Sequence, residues 1–187
     1  MWVYEHSVET SAAPDAIWRL WADVEHWGTW NADIDSIEIR GPFATGTEIT
    51  MTPPGQDPVQ LRVAELTERE MFVDEAEIDG LLLRTIHRLD RLDAHRTRVV
   101  YRMEITGPAA DELGRQLGPA ITADWPDTVA ALARAALAQS VLAQSALAQS
   151  ALARAALAQS ALARAALARA ALAQPALARA ALAQPAL

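Results

Sequence analysis

From Ala131 onward the chain is a tandem five-residue repeat (ALARA, ALAQS, VLAQS and variants) running in eleven full units to Pro185. A segment of such regularity does not encode an ordinary core, so it divides the chain before anything else is read. Charge divides near the same point. All 24 acidic residues lie at or before Asp127, 5 of the 16 arginines lie after it, and lysine is absent. The expected organisation is one folded domain over residues 1–135 and a low-complexity tail over 136–187.

Alanine, leucine, arginine and glutamine are strong helix formers, so a mostly helical tail is expected. Five-residue spacing advances about 140° per unit around a helix, so Leu132, Leu137 and Leu142 spiral and no coiled-coil stripe forms. Pro175 and Pro185 are expected to break or bend its end. Two other readings stay open. Leucine every fifth position, with a small residue two before it, also suits a right-handed pentapeptide-repeat β-helix, although the residue before leucine is alanine in every unit except the one that begins with Val141. Ala135–Ala153 is nineteen uncharged residues, the length of a membrane span, but its Gln and Ser content argues against one. The tail could also serve self-association.

The front segment contains no cysteine, which excludes disulfides, thiolate metal sites and a cysteine nucleophile. A segment of this length can bury an apolar core instead. With 11 arginines against 24 acids it repels phosphate backbones, so nucleic acid is excluded as a partner. MWVYEHSVET has neither a basic start nor an apolar run, which makes a cytoplasmic protein the expectation. No glycine-rich phosphate loop, HExxH or GxSxG occurs, and no cofactor or metal is expected. Glu68, Glu70, Asp74, Glu75 and Glu77 read as an exposed acidic face rather than a metal site.

Apolar–polar alternation predicts strands at Trp2–Thr10, Ile34–Arg40, Glu48–Thr52, Val59–Leu66, Met71–Ile78, Leu81–Asp90 and Thr97–Thr106. Turn signals such as Gly41-Pro42, Pro54-Gly55, Asp79-Gly80 and Leu92–His95 separate them, and the short connections favour antiparallel pairing. Pro14 and Asp15 open a helix carrying Ile17, Leu20, Trp21 and Val24 toward a core. His26–Asn31 is an aromatic turn or short helix. A closing helix carries Leu113, Leu117, Ile121 and Val129, interrupted at Gly118-Pro119 and Trp125-Pro126.

This order of elements resembles the START-like (SRPBCC, helix-grip) superfamily, and within it the polyketide cyclase/dehydrase and lipid-transport family. The resemblance is carried by VYEHSVETSAAPDAIWRLWADVEHWGTWN, the strand start at Gly46-Thr47, the strand ending MEITGP, and the helix opening GPAADELGRQLGP. It spans residues 1 to about 135. It implies an α+β helix-grip fold, a curved antiparallel sheet wrapped around a long C-terminal helix, here extended by the Ala-rich tail. It also implies a cavity between sheet and helix for a small hydrophobic molecule (a polyketide, lipid or aromatic), with or without cyclase or dehydratase activity. Fold alone assigns no reaction. The competing reading is a non-enzymatic interaction or scaffold protein whose repeat tail mediates association.

Strand parity names candidate residues. Leu83, Thr85, His87 and Leu89 share one face, as do Val99, Tyr101, Met103 and Ile105, and Tyr4 and His6 share one with Trp2 and Val8. With the aromatic residues Trp30 and Trp125, the ligand-binding candidates are Tyr4, His6, Trp30, Leu83, His87, Val99, Tyr101, Met103 and Trp125. His87, with an ordinary pKa of about 6.5, is the natural proton acceptor for an aldol-type cyclisation or dehydration. Tyr101 could hydrogen-bond the carbonyl oxygen as charge develops. Both also suit hydrogen-bonded core positions. Trp18, Trp21, Trp27 and Trp30 read either as packing over the sheet mouth or, for Trp27 or Trp30, as an aromatic gate. His26 and His95 belong to turns and should be solvated.

Overall fold

The computed structural model describes the backbone of residues 1–182 and the side chains of residues 1–169. The contacts divide it into two units, Met1–Val141 and Leu142–Leu187.

The first unit is built on seven antiparallel strands: β1 (Trp2–Thr10), β2 (Ser36–Ile39), β3 (Glu48–Thr52), β4 (Val59–Thr67), β5 (Met71–Ile78), β6 (Leu81–Arg91) and β7 (Thr97–Thr106). Their order across the curved sheet is β1-β7-β6-β5-β4-β3-β2. A register shift between Val63 and Glu65 interrupts the β4–β5 ladder, as a bulge does where a sheet bends. The expected bounds hold to within a residue except at β2, which starts at Ser36, although Ile34 is still buried.

Alternation sorts the two faces. Inward residues of β6 and β7, among them Leu83, His87, Val99, Tyr101, Met103 and Ile105, are buried in one core. The outward residues form an ion-pair lattice. Glu75 binds Arg62 and Arg84 at 2.7 and 2.8 Å, Arg102 binds Glu104 at 2.9 Å, and Arg98 binds Glu9 at 3.0 Å.

Helix α1 (Pro14–Ala22) starts on Pro14, where a missing N–H is harmless, and buries Ile17, Trp18, Leu20 and Trp21. A 3-10 turn over Val24–Thr29 follows and buries Val24 and Trp27. Helix α2 spans Ala110–Ile121 and α3 spans Trp125–Leu182.

Two expectations about α2 need correction. Pro119 does not interrupt it, because so near the helix end only one backbone bond is forgone. Its buried stripe is Ala110, Gly114 and Gly118 rather than Leu113, Leu117 and Ile121. The glycines leave a flat face for Trp2, whose side-chain atoms lie 2.6–2.7 Å from where a Cβ would stand on either. Leu117 and Ile121 are each 36% exposed and border a cavity rather than the packed core. Trp125-Pro126 does restart the helix, with Pro126 in the first turn of α3.

In the first unit α3 buries Trp125, Thr128, Val129, Leu132, Ala133 and Ala136, a three- and four-residue spacing that faces a core. In the second unit Leu142, Leu147, Leu152, Leu157, Leu162 and Leu167 are each 69–72% exposed. That uniformity is what a spiralling leucine must show. The backbone there is helical, which overturns the β-helix reading. It stays helical through Pro175 because one proline removes a single backbone bond from an otherwise strong helix former. Pro185 lies outside the described residues. Among those residues, no helix is long and apolar enough to cross a membrane.

Candidate functional site

Between the inner face of the sheet and the elements that cover it lies a cavity of about 720 Å³. Its floor comes from β5, β6 and β7, whose register sets Phe72 opposite His87 and His87 opposite Tyr101. Trp21 of α1 and Trp27 and Trp30 close one side. Leu117 and Ile121 of α2, with Asp124 and Trp125, close another.

His87 is the centre of the polar part. Its ring stacks on Phe72 at 4.0 Å and meets Tyr101 edge-on at 4.4 Å, so its orientation is held from both sides. Its Nε2 lies 2.8 Å from Asp74 Oδ2, and both side chains are more than nine-tenths buried. With the imidazole proton on Nε2, donated to Asp74, Nδ1 is the lone-pair nitrogen. Nδ1 is buried and has no hydrogen-bond partner among the described residues. Tyr101 accepts a hydrogen bond from Trp21 Nε1 at 3.2 Å. Burial pushes its phenol pKa well above the ordinary range, so it stays a neutral O–H donor.

A second polar group lies at the junction of the 3-10 turn and α3. Asp33 and Asp124 both line the cavity. Hydrogen bonding to the Asp124 carboxyl, with partial burial and like charge, pushes Asp33 up to about 6. Thr128 Oγ1 donates to Asp124 Oδ2 at 2.8 Å and fixes that carboxyl.

Of the residues named from parity and aromaticity, Trp30, Leu83, His87, Tyr101, Met103 and Trp125 line the cavity, whereas Tyr4, His6 and Val99 do not. β1 is an edge strand whose inner end is covered by α2, so Tyr4 is stacked on Trp2 and against Trp125 instead. His6 is half-buried beside Tyr101 in register, and Val99 is sealed in the core. Trp27 is tied down by a 2.9 Å bond from its Nε1 to the Trp21 carbonyl, which leaves it no freedom to gate. Trp30 is half-buried with Nε1 unpartnered. His26 and His95 are exposed, as expected, and a hydrogen bond to Asp23 raises the pKa of His26.

Asp74 corrects the reading of the acidic stretch. Glu68, Glu70 and Glu77 are exposed, but Asp74 has the parity of Phe72 and Ala76 and points inward. That alternation was the available signal. Asp33 and Asp124 carry no local signal, since only the fold brings them together. Among the described residues, no group of His, Asp and Glu could hold a metal ion.

A curved antiparallel sheet packed against a C-terminal helix with a cavity between them defines a helix-grip protein. No protein-family model and no curated protein matches the sequence. Solved structures do. A norcoclaurine synthase variant from Thalictrum flavum superposes with a TM-score of 0.62 at 16% identity, over 74% of this chain and 96% of that one. The Zhui aromatase/cyclase from Streptomyces sp. R1128 gives 0.61 at 18%, over 72% and 93%. The di-domain ARO/CYC protein BexL gives 0.58 at 18%, over 72% of this chain and 46% of BexL. The chain has the START-like helix-grip fold.

Proposed function

We propose that the cavity binds a small, largely apolar, ring-bearing molecule such as a polyketide or aromatic, and that His87 is a general base for its aldol-type cyclisation or dehydration. The observation that supports this is that His87, a residue of the cavity wall, keeps a buried Nδ1 without a hydrogen-bond partner among the described residues while Asp74 holds the opposite nitrogen. A free imidazole nitrogen oriented by a carboxylate is the arrangement general-base catalysis uses. His87 Nδ1 would take a proton from carbon next to a carbonyl. Tyr101 would hydrogen-bond the resulting enolate oxygen, and the enolate carbon would attack a second carbonyl of the same molecule. The protonated His87 would then return its proton to the new alkoxide; for dehydration it would take a second proton from the carbon between carbonyl and hydroxyl and pass it to that hydroxyl, which departs as water as the carbon–carbon double bond forms. The likeness in fold to proteins titled norcoclaurine synthase and aromatase/cyclase supports the reading.

A carrier without chemistry is the second reading, favoured by the fact that His87 and Tyr101 each already have a hydrogen-bond partner in the protein. Native mass spectrometry of the purified protein identifies a co-purifying ligand, and turnover of that molecule is then followed. His87→Ala should abolish turnover while binding persists; unchanged turnover in the variant would eliminate His87 as the base.

A further inference from the structure

We propose that Thr85 is a specificity-determining residue of the cavity, and that its hydroxyl, beside the Asp74 carboxylate, selects a ligand with a hydroxyl group at that point of its ring system. The proposal rests on the reading of the cavity as a small-molecule site and names a substituent that its ligand carries.

Exposure along one strand locates the subsite. β6 runs between β5 and β7, so its inward side chains face only what the sheet covers. Leu81, Leu83, His87 and Leu89, the other inward residues of β6, are all buried, and so are the five inward residues of β7. Thr85 alone among them keeps part of its surface accessible. Its parity turns that surface inward, and Thr85 lines the cavity. The open space begins over this side chain.

The hydroxyl there is unengaged. Thr85 Oγ1 has no hydrogen-bond partner among the described residues, yet it is not sealed in as Trp30 Nε1 and His87 Nδ1 are. The buried threonines of the domain behave differently. Thr97 Oγ1 donates to the Ala12 carbonyl at 2.9 Å, Thr122 Oγ1 to the Gly118 carbonyl at 2.9 Å and Thr128 Oγ1 to Asp124 at 2.8 Å, while Thr10 Oγ1 accepts from the Ala12 N–H at 3.1 Å. Polar groups inside a protein are ordinarily paired in this way. Thr85 is left for a group that enters the cavity.

The neighbours of Thr85 define which group fits. Asp74 stands opposite it in register on β5 and also lines the cavity; such a pair brings the two Cβ atoms to about 5 Å. A ligand hydroxyl can accept from Thr85 Oγ1 and donate to the Asp74 carboxylate at once, which a carbonyl or ether oxygen cannot do. Met103 stands opposite Thr85 on β7 and Leu83 precedes it on the same face, so nothing else nearby on the floor competes for that hydroxyl. Tyr101 lies on the diagonal from Thr85 across β6 and β7, about 7 Å away at the backbone. A ring system with two oxygens set apart can therefore meet both residues.

The test uses two probes, naphthol and a naphthalenediol with one hydroxyl on each ring, titrated calorimetrically into the full chain at neutral pH. The diol should bind about fivefold more tightly than naphthol, the value of one added hydrogen bond. Thr85→Val keeps the shape and the β-branching and should erase that advantage. Thr85→Ser returns a hydroxyl and should restore it, which a purely structural role for the side chain would not do. Equal binding of the two probes by the wild-type chain overturns the proposal and leaves the cavity reading standing. A diol advantage that survives Thr85→Val overturns it, and so does one lost in Thr85→Ser as fully as in Thr85→Val. Binding of neither probe removes the cavity reading, and the subsite with it.

Discussion

Gly118→Ala tests how α2 is seated on the sheet. A Cβ at that position would meet Cδ2, Cε2 and Cε3 of the Trp2 ring at 2.6 Å each, about 1 Å inside ordinary carbon–carbon contact. The helix itself would welcome the change, since alanine is about 1 kcal/mol better than glycine in a helix interior. The overlap opposes that gain. Trp2 stacks on Tyr4 at 6.2 Å and Tyr4 meets Trp125 at 5.7 Å, so the ring retreats only by disturbing the cavity wall. Overpacking of this kind costs about 1–3 kcal/mol. The net expectation is a loss of about 1 kcal/mol, or about 2–4 °C in melting temperature.

The decisive arm is the background. Trp2→Ala removes the offending ring atoms, and there Gly118→Ala should stabilise by about 1 kcal/mol. Gly114→Ala behaves differently. Its Cβ would lie 2.7 Å from Trp2 Cβ, which alanine retains, so it should destabilise in both backgrounds. Chemical denaturation of the four Gly118 combinations gives the coupling. If Gly118→Ala stabilises the wild-type chain as much as the Trp2→Ala chain, the packing argument is refuted.

Asp74→Ala leaves the buried His87 Nε2–H without its acceptor and should cost about 1–3 kcal/mol in urea unfolding; an unchanged midpoint would mean the pair is not formed. Asp33 gives a pH signature. The folded protein holds its proton up to about 6 while the ordinary carboxyl value is 3.8, so the stabilisation is complete below 3.8 and lost as pH rises through about 6. Asp33→Asn should flatten that fall between the two values, and an equal slope in both proteins would refute the shared proton. Deleting residues 138–187 should leave probe binding and melting temperature unchanged, because buried side chains on α3 end at Ala136; altered binding would show that the tail takes part.

Much of the fold was legible because a strand half-buried in a curved sheet must alternate. Leu83, His87, Tyr101 and Met103 were placed on the cavity side by parity alone, and the structure brings them there. Alternation fails where covering elements differ along one strand. Tyr4 has the parity of a cavity residue, yet it sits on an edge strand under α2 and is consumed by packing. The face of α2 was misread for a related reason. Leucine is expected to point inward, but against a tryptophan ring the inward residue must be the smallest one. Asp74 was hidden by its neighbours, because charge density along Glu68–Glu77 suggested a solvated face while parity assigned this one residue to the interior.

Those misses share a direction, and it bears on what the cavity does. Three of the overlooked polar residues of the site are carboxyls, Asp33, Asp74 and Asp124. A carboxyl facing a largely aromatic cavity loses hydration and is retained only if something offsets that loss. For Asp74 the offset is His87. Asp33 is exposed and Asp124 half-buried, so both keep part of their hydration, and hydrogen bonding to Asp124 holds the Asp33 pKa up to about 6. As pH rises through about 6 the stabilisation from the raised carboxyl of Asp33 is lost. The acidity that first argued against nucleic acid is thus partly internal, in the buried Asp74.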